Sequence, residues 1–419
     1  MHPRQLTRAG ADASGRHEYG ALLRPREIAR LSSRLNAGYP CPWTGTRRAI
    51  LTVAIAAIVT FAAVFTRALQ VAIFAVAAGL RRLTAKQHTP TGAFVAAAPA
   101  SMKAAEPLAV QNGKGLIAYH PVYDRYDSER VRQALREAAA LGATYLRVDI
   151  YWRDIMPAPG EINASALEWY AGFFRTARDR FGFTPLVVFS NPARSVITLP
   201  VEKRLEAWKQ YVSTVLRSLH GSCRHFQLLN EPNNPVFQFF PVRMTAAALR
   251  TAATVIRTEV PAARLSVNFL IDIWPWRSQL EELLSDAPEA IDTVGIDAYP
   301  DTWAIGLRNG FDDLSALPQT LRAELRGLRS AHTLAIMETG YSTNVPLVRD
   351  GKAQATYFQK LRRSVGELRK LEFVGIYELT DENSDAKPDP EANFGLLDSR
   401  LRRKEAFAEA QRLFSELND

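Results

Sequence analysis

Two glutamates, Glu231 and Glu338, each follow a short apolar run of the kind that forms a buried strand. Glu231 comes after QLL and Asn230, and Glu338 comes directly after LAIM. Two carboxyl groups that face each other across a pocket are the equipment of glycoside hydrolysis. One of them, with a raised pKa, protonates the leaving oxygen, and the other attacks the sugar or activates water. Either glutamate alone could be a capping or loop carboxylate, so the prediction depends on the pair.

Other polar and aromatic side chains stand at or near the ends of similar runs. Tyr299 is placed to donate to the Glu338 carboxylate, and indole rings could stack on sugar faces. The sequence leaves open whether Glu378 and Asp381 bind sugar hydroxyls, form a buried ion pair with Arg147 or lie in a solvated loop. The predicted substrate contacts are His120, Arg147, Trp152, Asn191, Trp274, Trp276, Tyr299, Trp303, Tyr377, Glu378 and Asp381.

The elements that must position these groups recur with a regular spacing. Runs rich in Val, Ile, Leu and Phe start 28 to 41 residues apart, with amphipathic helical stretches such as 128–142, 201–221 and 356–371 between them. This alternation predicts a strand, a loop and a helix repeated eight times. The predicted strands span 115–120, 143–150, 184–190, 225–230, 264–269, 292–299, 333–338 and 373–379.

These strands are too apolar to leave one face in water, so a parallel sheet covered by helices is favoured. Eight such units predict an α/β fold of the (β/α)8 barrel type, whose reactive groups lie at the carboxyl ends of the strands. A doubly wound open sheet is the alternative fold. It would require a glycine-rich first turn, and no GxGxxG follows the first strand.

Composition narrows the class of protein. The chain has 419 residues, of which 47% are hydrophobic and 23% are charged, which excludes a small disulfide scaffold and a disordered polymer. The two cysteines, Cys41 and Cys223, are too few for a four-cysteine zinc site, and HExxH and DxDxDG patterns are missing. We therefore expect neither a metal nor a cofactor.

The net positive charge of the chain comes from its N-terminal part. Residues 1–113 hold 14 Lys and Arg against four Asp and Glu, whereas residues 114–419 hold 38 against 39. A nucleic-acid-binding domain would carry the basic surface on its folded part. No nucleic-acid partner is expected.

An apolar stretch suggests a membrane anchor. Residues 49–66 carry no charge, and Arg67 separates them from a second apolar run that ends at Leu80. A transmembrane helix needs about 20 apolar residues, so residues 49–80 can contain a single N-terminal transmembrane helix. Nine arginines precede Ala49, which favours a cytoplasmic N-terminus and an extracytoplasmic body. We predict a basic cytoplasmic segment at 1–48, an anchor in the inner membrane at 49–80, a flexible linker at 81–113 and the barrel domain at 114–419.

Three motifs carry a resemblance to a known group of proteins. LLNEPNNP (228–235), VGIDAYP (294–300) and IMETGYS (336–342) resemble the signatures of strands four, six and seven in clan A, the large clan of retaining (β/α)8 glycoside hydrolases. The stretch 151–163 and the anchor are most similar to family 39 and to membrane-anchored glycosidases encoded with exopolysaccharide synthesis systems. One departure is Tyr377, which stands where clan members often have tryptophan.

The resemblance implies a role for each matching residue. It implies that Glu231 is the acid/base, that Asn230 binds the sugar 2-hydroxyl and that Glu338 is the nucleophile. The expected function is a retaining β-glycosidase acting within a bacterial exopolysaccharide during its synthesis or export, with the export machinery as a candidate partner. The alternatives are a non-catalytic carbohydrate-binding scaffold of an export complex and a transglycosylase.

Overall fold

A computed structural model describes residues 113–121, 128–219, 221–273, 275–299, 321–323, 325–344, 349–386 and 389–419. Eight parallel strands, one for each predicted run, pair in chain order, and β8 closes onto β1. This closed barrel confirms the predicted (β/α)8 architecture and excludes the open doubly wound sheet. The strands are β1 (Gly115–Ala118), β2 (Tyr145–Tyr151), β3 (Thr184–Ser190), β4 (His225–Gln227), β5 (Arg264–Leu270), β6 (Thr293–Ala298), β7 (Thr333–Thr339) and β8 (Val374–Ile376).

One of the helices around the barrel shows clearly how the local sequence sets its ends. The helix Ala164–Phe181 begins after Asn163, whose side chain accepts from the Ala166 amide, and ends at Gly182 with φ +74°. The helices are α1 (Ser128–Leu141), α2 (Trp152–Ile155), α3 (Ala164–Phe181), α4 (Arg194–Ile197), α5 (Val201–Leu219), α6 (Val242–Glu259), α7 (Trp276–Asp286), α8 (Gly351–Arg362), α9 (Val365–Leu368) and α10 (Ala406–Asn418). A 3₁₀ turn spans Glu391–Asn393.

Two apolar layers hold the barrel together. The larger layer lies between the strands and the surrounding helices and includes the rings of Trp169, Trp208 and Phe226. The smaller one is a separate cluster contributed by strand residues such as Leu116, Leu186 and Met337. Because side chains alternate along a strand, one set of positions faces the helices and the other faces the barrel interior.

The pairing of β6 with β7 contains an irregularity next to the predicted site. Ile296 pairs with Ile336, but the next residue, Asp297, pairs with Glu338, so Met337 is an extra residue on β7. Two glycines make room for it. A Cβ added to Gly295 would lie 2.3 Å from Met337 Cγ, and one added to Gly375 would lie 2.0 Å from the Met337 carbonyl oxygen. The bulge sets Asp297 beside Glu338.

The predicted N-terminal segments at 1–48, 49–80 and, except for Gly113, 81–113 lie outside the described residues. In the part of the chain that the structure describes, no helix is both long and apolar enough to cross a membrane.

Candidate active site

Glu231 and Glu338 converge at the carboxyl ends of the strands. Both side chains are buried, and one carboxylate oxygen of each, together with one of Asp297, lies within 4.8 Å of the others. Glu231 follows β4 and Glu338 lies in β7, so two residues 107 positions apart face each other across the barrel. A separation of about 5–5.5 Å is typical of retaining glycosidases, whereas about 6.5–9.5 Å is typical of inverting ones.

The turn that carries Glu231 is fixed by its neighbouring asparagines. Glu231 has φ +41°, a conformation that costs energy for a residue with a side chain. Asn234 Nδ2 donates to Glu231 Oε2 at 2.6 Å, and the Glu231 amide donates to Asn268 Oδ1 at 2.8 Å. Asn233 binds both the amide and the carbonyl of Leu270 in β5. The asparagines of the NEPNN sequence therefore fix the orientation of the Glu231 side chain, which is not simply a helix cap.

Glu338 is held by a cation and a hydroxyl. Arg147 Nη2 lies 2.7 Å from Glu338 Oε1, and the Tyr299 hydroxyl donates to Glu338 Oε2. The predicted contact between Tyr299 and Glu338 is thus present. Both Arg147 and Glu338 are buried, so the pair lies in a region of low dielectric. These two donors hold both oxygens of Glu338 in place.

Asn230 is oriented by three donors that converge on its oxygen. Its Oδ1 accepts from Arg147 Nη2 at 2.8 Å, from Asn268 Nδ2 at 2.9 Å and from Gln227 Nε2 at 3.1 Å. Because a guanidinium only donates, the amide oxygen must face Arg147. Within the described residues, Asn230 Nδ2 donates to no protein group, which leaves it for a substrate oxygen.

The two glutamates differ in their electrostatic surroundings. Burial raises the pKa of Glu231 to about 8, and the negative charge of Glu338 adds to the effect. Burial also raises the pKa of Asp297 well above its usual range, again with the charges of Glu338 and Glu231. Glu231 is therefore mainly protonated at neutral pH, as a general acid must be.

A second charged group contains His120, Asp149 and Glu378. His120 Nδ1 lies 2.8 Å from Glu378 Oε2, and its Nε2 lies 3.2 Å from Asp149 Oδ2. Burial alone would lower the pKa of His120, but the hydrogen bonds to Asp149 and Glu378 outweigh it and raise the pKa to about 10. His120 is thus a cation between two carboxylates rather than a neutral packed imidazole.

The open question about Glu378 and Asp381 is answered by these contacts. Neither carboxylate pairs with Arg147, whose partner is Glu338. Glu378 pairs with His120, whereas Asp381 Oδ1 lies 2.6 Å from Lys404 Nζ and its Oδ2 accepts from Ser384 at 2.8 Å. Asp381 is therefore part of a buried ion pair under the loops, and its predicted contact with substrate is not supported.

The prediction that Trp152 and Trp276 are sugar platforms is wrong. Trp152 is fully buried and stacks on Tyr211 with ring centroids 5.1 Å apart. It follows Tyr151, the last residue of β2, and its indole points into the layer between barrel and helices. Trp276 begins α7 and packs in the same layer. Trp274 and Trp303 lie outside the described residues.

Two other predicted contacts lie at the strand ends. Tyr377 is half-buried, its ring centroid lies 5.5 Å from that of His120, and its hydroxyl donates to Glu391 at 3.2 Å. Asn191 follows β3, is half-buried and has φ +48°, which asparagine tolerates better than most residues. Tyr377 thus remains a candidate aromatic surface for a sugar.

Sequence reasoning missed four buried polar residues of the site: Asp149, Gln227, Asn268 and Asp297. Asn268 joins several of them, because its side chain also donates to Asp297 Oδ2 and its Oδ1 accepts from Gln227 Nε2 at 2.8 Å. A signal was present, since each of these residues interrupts an otherwise apolar strand run. Buried polar groups require hydrogen-bond partners, so such interruptions predict a network.

The three converging carboxyl groups resemble a cation site in geometry alone. Four of their six oxygens, however, already have protein partners: Arg147 and Tyr299 bind Glu338, Asn234 binds one oxygen of Glu231, and Asn268 binds one oxygen of Asp297. We therefore interpret the group as proton-transfer machinery and assign no metal or cofactor to it.

No protein-family model matches the chain, and no curated protein matches it. Its fold resembles that of a family 39 glycoside hydrolase from the gut symbiont Bacteroides cellulosilyticus, with a TM-score of 0.57 and 20% identity, over 75% of this chain and 66% of that one. A β-glycosidase has a TM-score of 0.56 and 18% identity, over 75% and 97%. A GH5_18 protein from Streptomyces cattleya in complex with GlcNAc has a TM-score of 0.59 and 15% identity, over 73% of this chain and 80% of that one. The chain therefore has the (β/α)8 barrel fold that these glycoside hydrolases share.

Proposed function

We propose that this protein is a glycoside hydrolase that cleaves β-glycosidic bonds with retention of configuration. The observation that carries the proposal is the pair Glu231 and Glu338, which face each other after β4 and in β7 with oxygens within 4.8 Å. The shared fold with glycoside hydrolases, among them a β-glycosidase, supports the same reaction class.

In the first step, Glu338 attacks the anomeric carbon while Glu231 gives its proton to the leaving oxygen. Arg147 and Tyr299 keep the Glu338 carboxylate in place for this attack. The bond to the leaving group breaks, and a glycosyl ester of Glu338 forms. Asn230 Nδ2 is free to bind a sugar hydroxyl during the step, as the resemblance to clan A implies.

In the second step, Glu231 acts as a base. The charge of Glu338 is one of the causes that raise the pKa of Glu231, and ester formation removes that charge. The pKa of Glu231 therefore falls when the intermediate forms. Glu231 then takes a proton from water, which attacks the ester and releases the sugar, so that one side chain serves as acid and then as base.

The finer part of the proposal concerns substrate and location. We propose endo action on a bacterial exopolysaccharide during its synthesis or export, by a barrel held outside the cytoplasm by an inner-membrane anchor at 49–80. Its support is the uncharged stretch 49–66, the nine arginines before it and the resemblance to anchored glycosidases. A polysaccharide synthesis or export complex is the corresponding partner.

The test is hydrolysis by the full chain, purified in detergent, on a panel of bacterial exopolysaccharides, β-glucans and β-mannans. New reducing ends are measured for wild type, E231Q, E338Q and the control E206Q, whose glutamate lies on the surface of α5 and pairs with Lys203. We expect release by wild type and E206Q alone. NMR of the first product should show the β anomer.

Other outcomes identify the alternatives. Binding of polymer by all four proteins without any release would contradict hydrolysis and support the carbohydrate-binding scaffold. Products longer than the substrate would identify a transglycosylase, which forms the same ester but passes the sugar to a hydroxyl group instead of water.

A further inference from the structure

Asp297 is a third carboxyl group at the reacting centre, and the two-glutamate reaction does not use it. It lies in β6, is fully buried and pairs in register with Glu338 because of the β7 bulge. One of its oxygens lies within 4.8 Å of oxygens of both Glu231 and Glu338. A buried carboxyl group in this position needs a reason, since each added negative charge would destabilise the site.

The surroundings of Asp297 favour its protonated form. Oδ2 accepts from Asn268 Nδ2, while Oδ1 is buried without a donor in the described part of the chain. A buried carboxylate oxygen without a donor is destabilising, whereas a protonated carboxyl group can donate. An oxygen of Glu231 lies within 4.8 Å of an oxygen of Asp297 and is an acceptor toward which that proton can point.

The charges around the pair lead to the same conclusion. The groups that face Asp297 and Glu231 are Glu338 from β7, Arg147 from β2 and Tyr299, which directly follows β6. Arg147 is the cation among them, and its ion pair at 2.7 Å is with Glu338. Burial, together with the charges of Glu338 and Glu231, raises the pKa of Asp297 well above its usual range.

We propose that Asp297 is a positioning residue that keeps its own proton and donates it as a hydrogen bond to Glu231. The inference rests on the proposed function, in which Glu231 is the acid/base. When Glu231 gives its proton to the leaving oxygen, the Asp297 hydroxyl stabilises the new Glu231 carboxylate. Water later returns a proton to Glu231, and the Asp297 proton is never consumed.

The first test is the pH profile of kcat/KM for the full chain and two variants. D297N keeps a neutral donor to Glu231, so its alkaline limb should stay within about 0.5 pH unit of wild type and kcat/KM within about tenfold. D297L has neither donor nor charge, so the Glu231 carboxylate loses a stabilising hydrogen bond. The pKa of Glu231 then rises, and the alkaline limb should move to higher pH by about one unit.

Two profiles would overturn the inference. If Asp297 is ionised in the working enzyme, removal of its charge lowers the pKa of Glu231, and the alkaline limb of both variants moves to lower pH. If Asp297 only supports the fold, both folded variants keep the limb of wild type. Because D297L leaves Asn268 without one acceptor, its folding is checked by thermal melting, and the infrared measurement decides between the outcomes if it does not fold.

A second measurement does not depend on activity. E231Q lacks the Glu231 carboxyl group, so its infrared difference spectrum at neutral pH should show a C=O stretch of a protonated carboxyl group that the double variant E231Q/D297N lacks. The absence of this difference between E231Q and E231Q/D297N would overturn the inference even if wild type hydrolyses a substrate. If no substrate is cleaved, the band still reports on Asp297, so failure of the inference and failure of the proposed function are distinguishable.

Discussion

The guanidinium of Arg147 lies 2.7 Å from the carboxylate of Glu338, and both groups are buried. The same guanidinium donates to Gln227 Oε1 at 2.9 Å and to Asn230 Oδ1 at 2.8 Å. One side chain from β2 thereby orients the nucleophile and the candidate sugar-binding amide, which come from β7 and the end of β4. The geometry of the reacting centre depends on a residue that touches none of the reacting bonds.

The first prediction concerns the guanidinium group of Arg147. R147K keeps the positive charge, but its single nitrogen cannot occupy the positions of both Nε, which donates to Gln227, and Nη2, which contacts Asn230 and Glu338. We expect kcat/KM to fall by about 10²-fold because the nucleophile is misplaced. R147M leaves Glu338 buried without its cation and should lower the free energy of unfolding by about 3–5 kcal/mol.

Steady-state kinetics and urea denaturation measure the two effects. The control R136K changes an exposed arginine paired with Glu129 on α1 and should alter neither quantity. An R147K enzyme as active as wild type would contradict the positioning role of Arg147.

The second prediction separates the roles of the two glutamates by chemical rescue. In E338A a small anion such as azide can occupy the space of the lost carboxylate and attack directly, giving an α-glycosyl azide from a β-glycoside with a good leaving group. In E231A the ester on Glu338 still forms, and azide should open it to a β-glycosyl azide. Without azide, each variant should lose roughly 10³-fold or more in kcat with poor leaving groups. NMR identifies the anomers. A β-glycosyl azide from E338A together with an α-glycosyl azide from E231A would reverse the assigned roles of the two glutamates.

The third prediction is a pH dependence of stability. Folding raises the pKa of His120 from 6.5 to about 10, so its charged form stabilises the folded state fully below about pH 6.5. This contribution is lost as the pH rises through about 10. H120Q should be less stable than wild type at pH 6, and the difference should shrink by up to about 1.4 kcal/mol per pH unit at higher pH. Urea denaturation at several pH values measures it. Parallel curves for the two proteins would show that His120 is not protonated in the folded state.

The fourth prediction follows from the position of Trp152. W152A removes a fully buried indole that packs against Tyr211 and Trp208, so it should cost about 3–5 kcal/mol of stability. KM of the folded fraction should stay close to that of wild type. The control I162A changes an exposed side chain and should cost less than about 0.5 kcal/mol. A large rise in KM with unchanged stability would show instead that Trp152 contacts the substrate.

The sequence determined the order of the elements and the position of the two glutamates. Strand and helix periodicity depends on local backbone geometry, so the runs at 184–190 and 264–269 could be recognised without tertiary information. In a closed parallel barrel all strands end at the same face. Glu231 and Glu338, each at the end of such a run, were therefore bound to lie near one another.

Only the tertiary structure decided which side chains meet. Trp152 and Arg147 come from the same strand region, yet one lies in the outer core and the other under the reacting centre. Asp297 pairs with Glu338 because Met337 shifts the register of β7 by one residue. Side-chain direction reverses with every residue along a strand, and cross-barrel contacts depend on register. Both are set by the packing of all eight strands together, which no local sequence pattern contains.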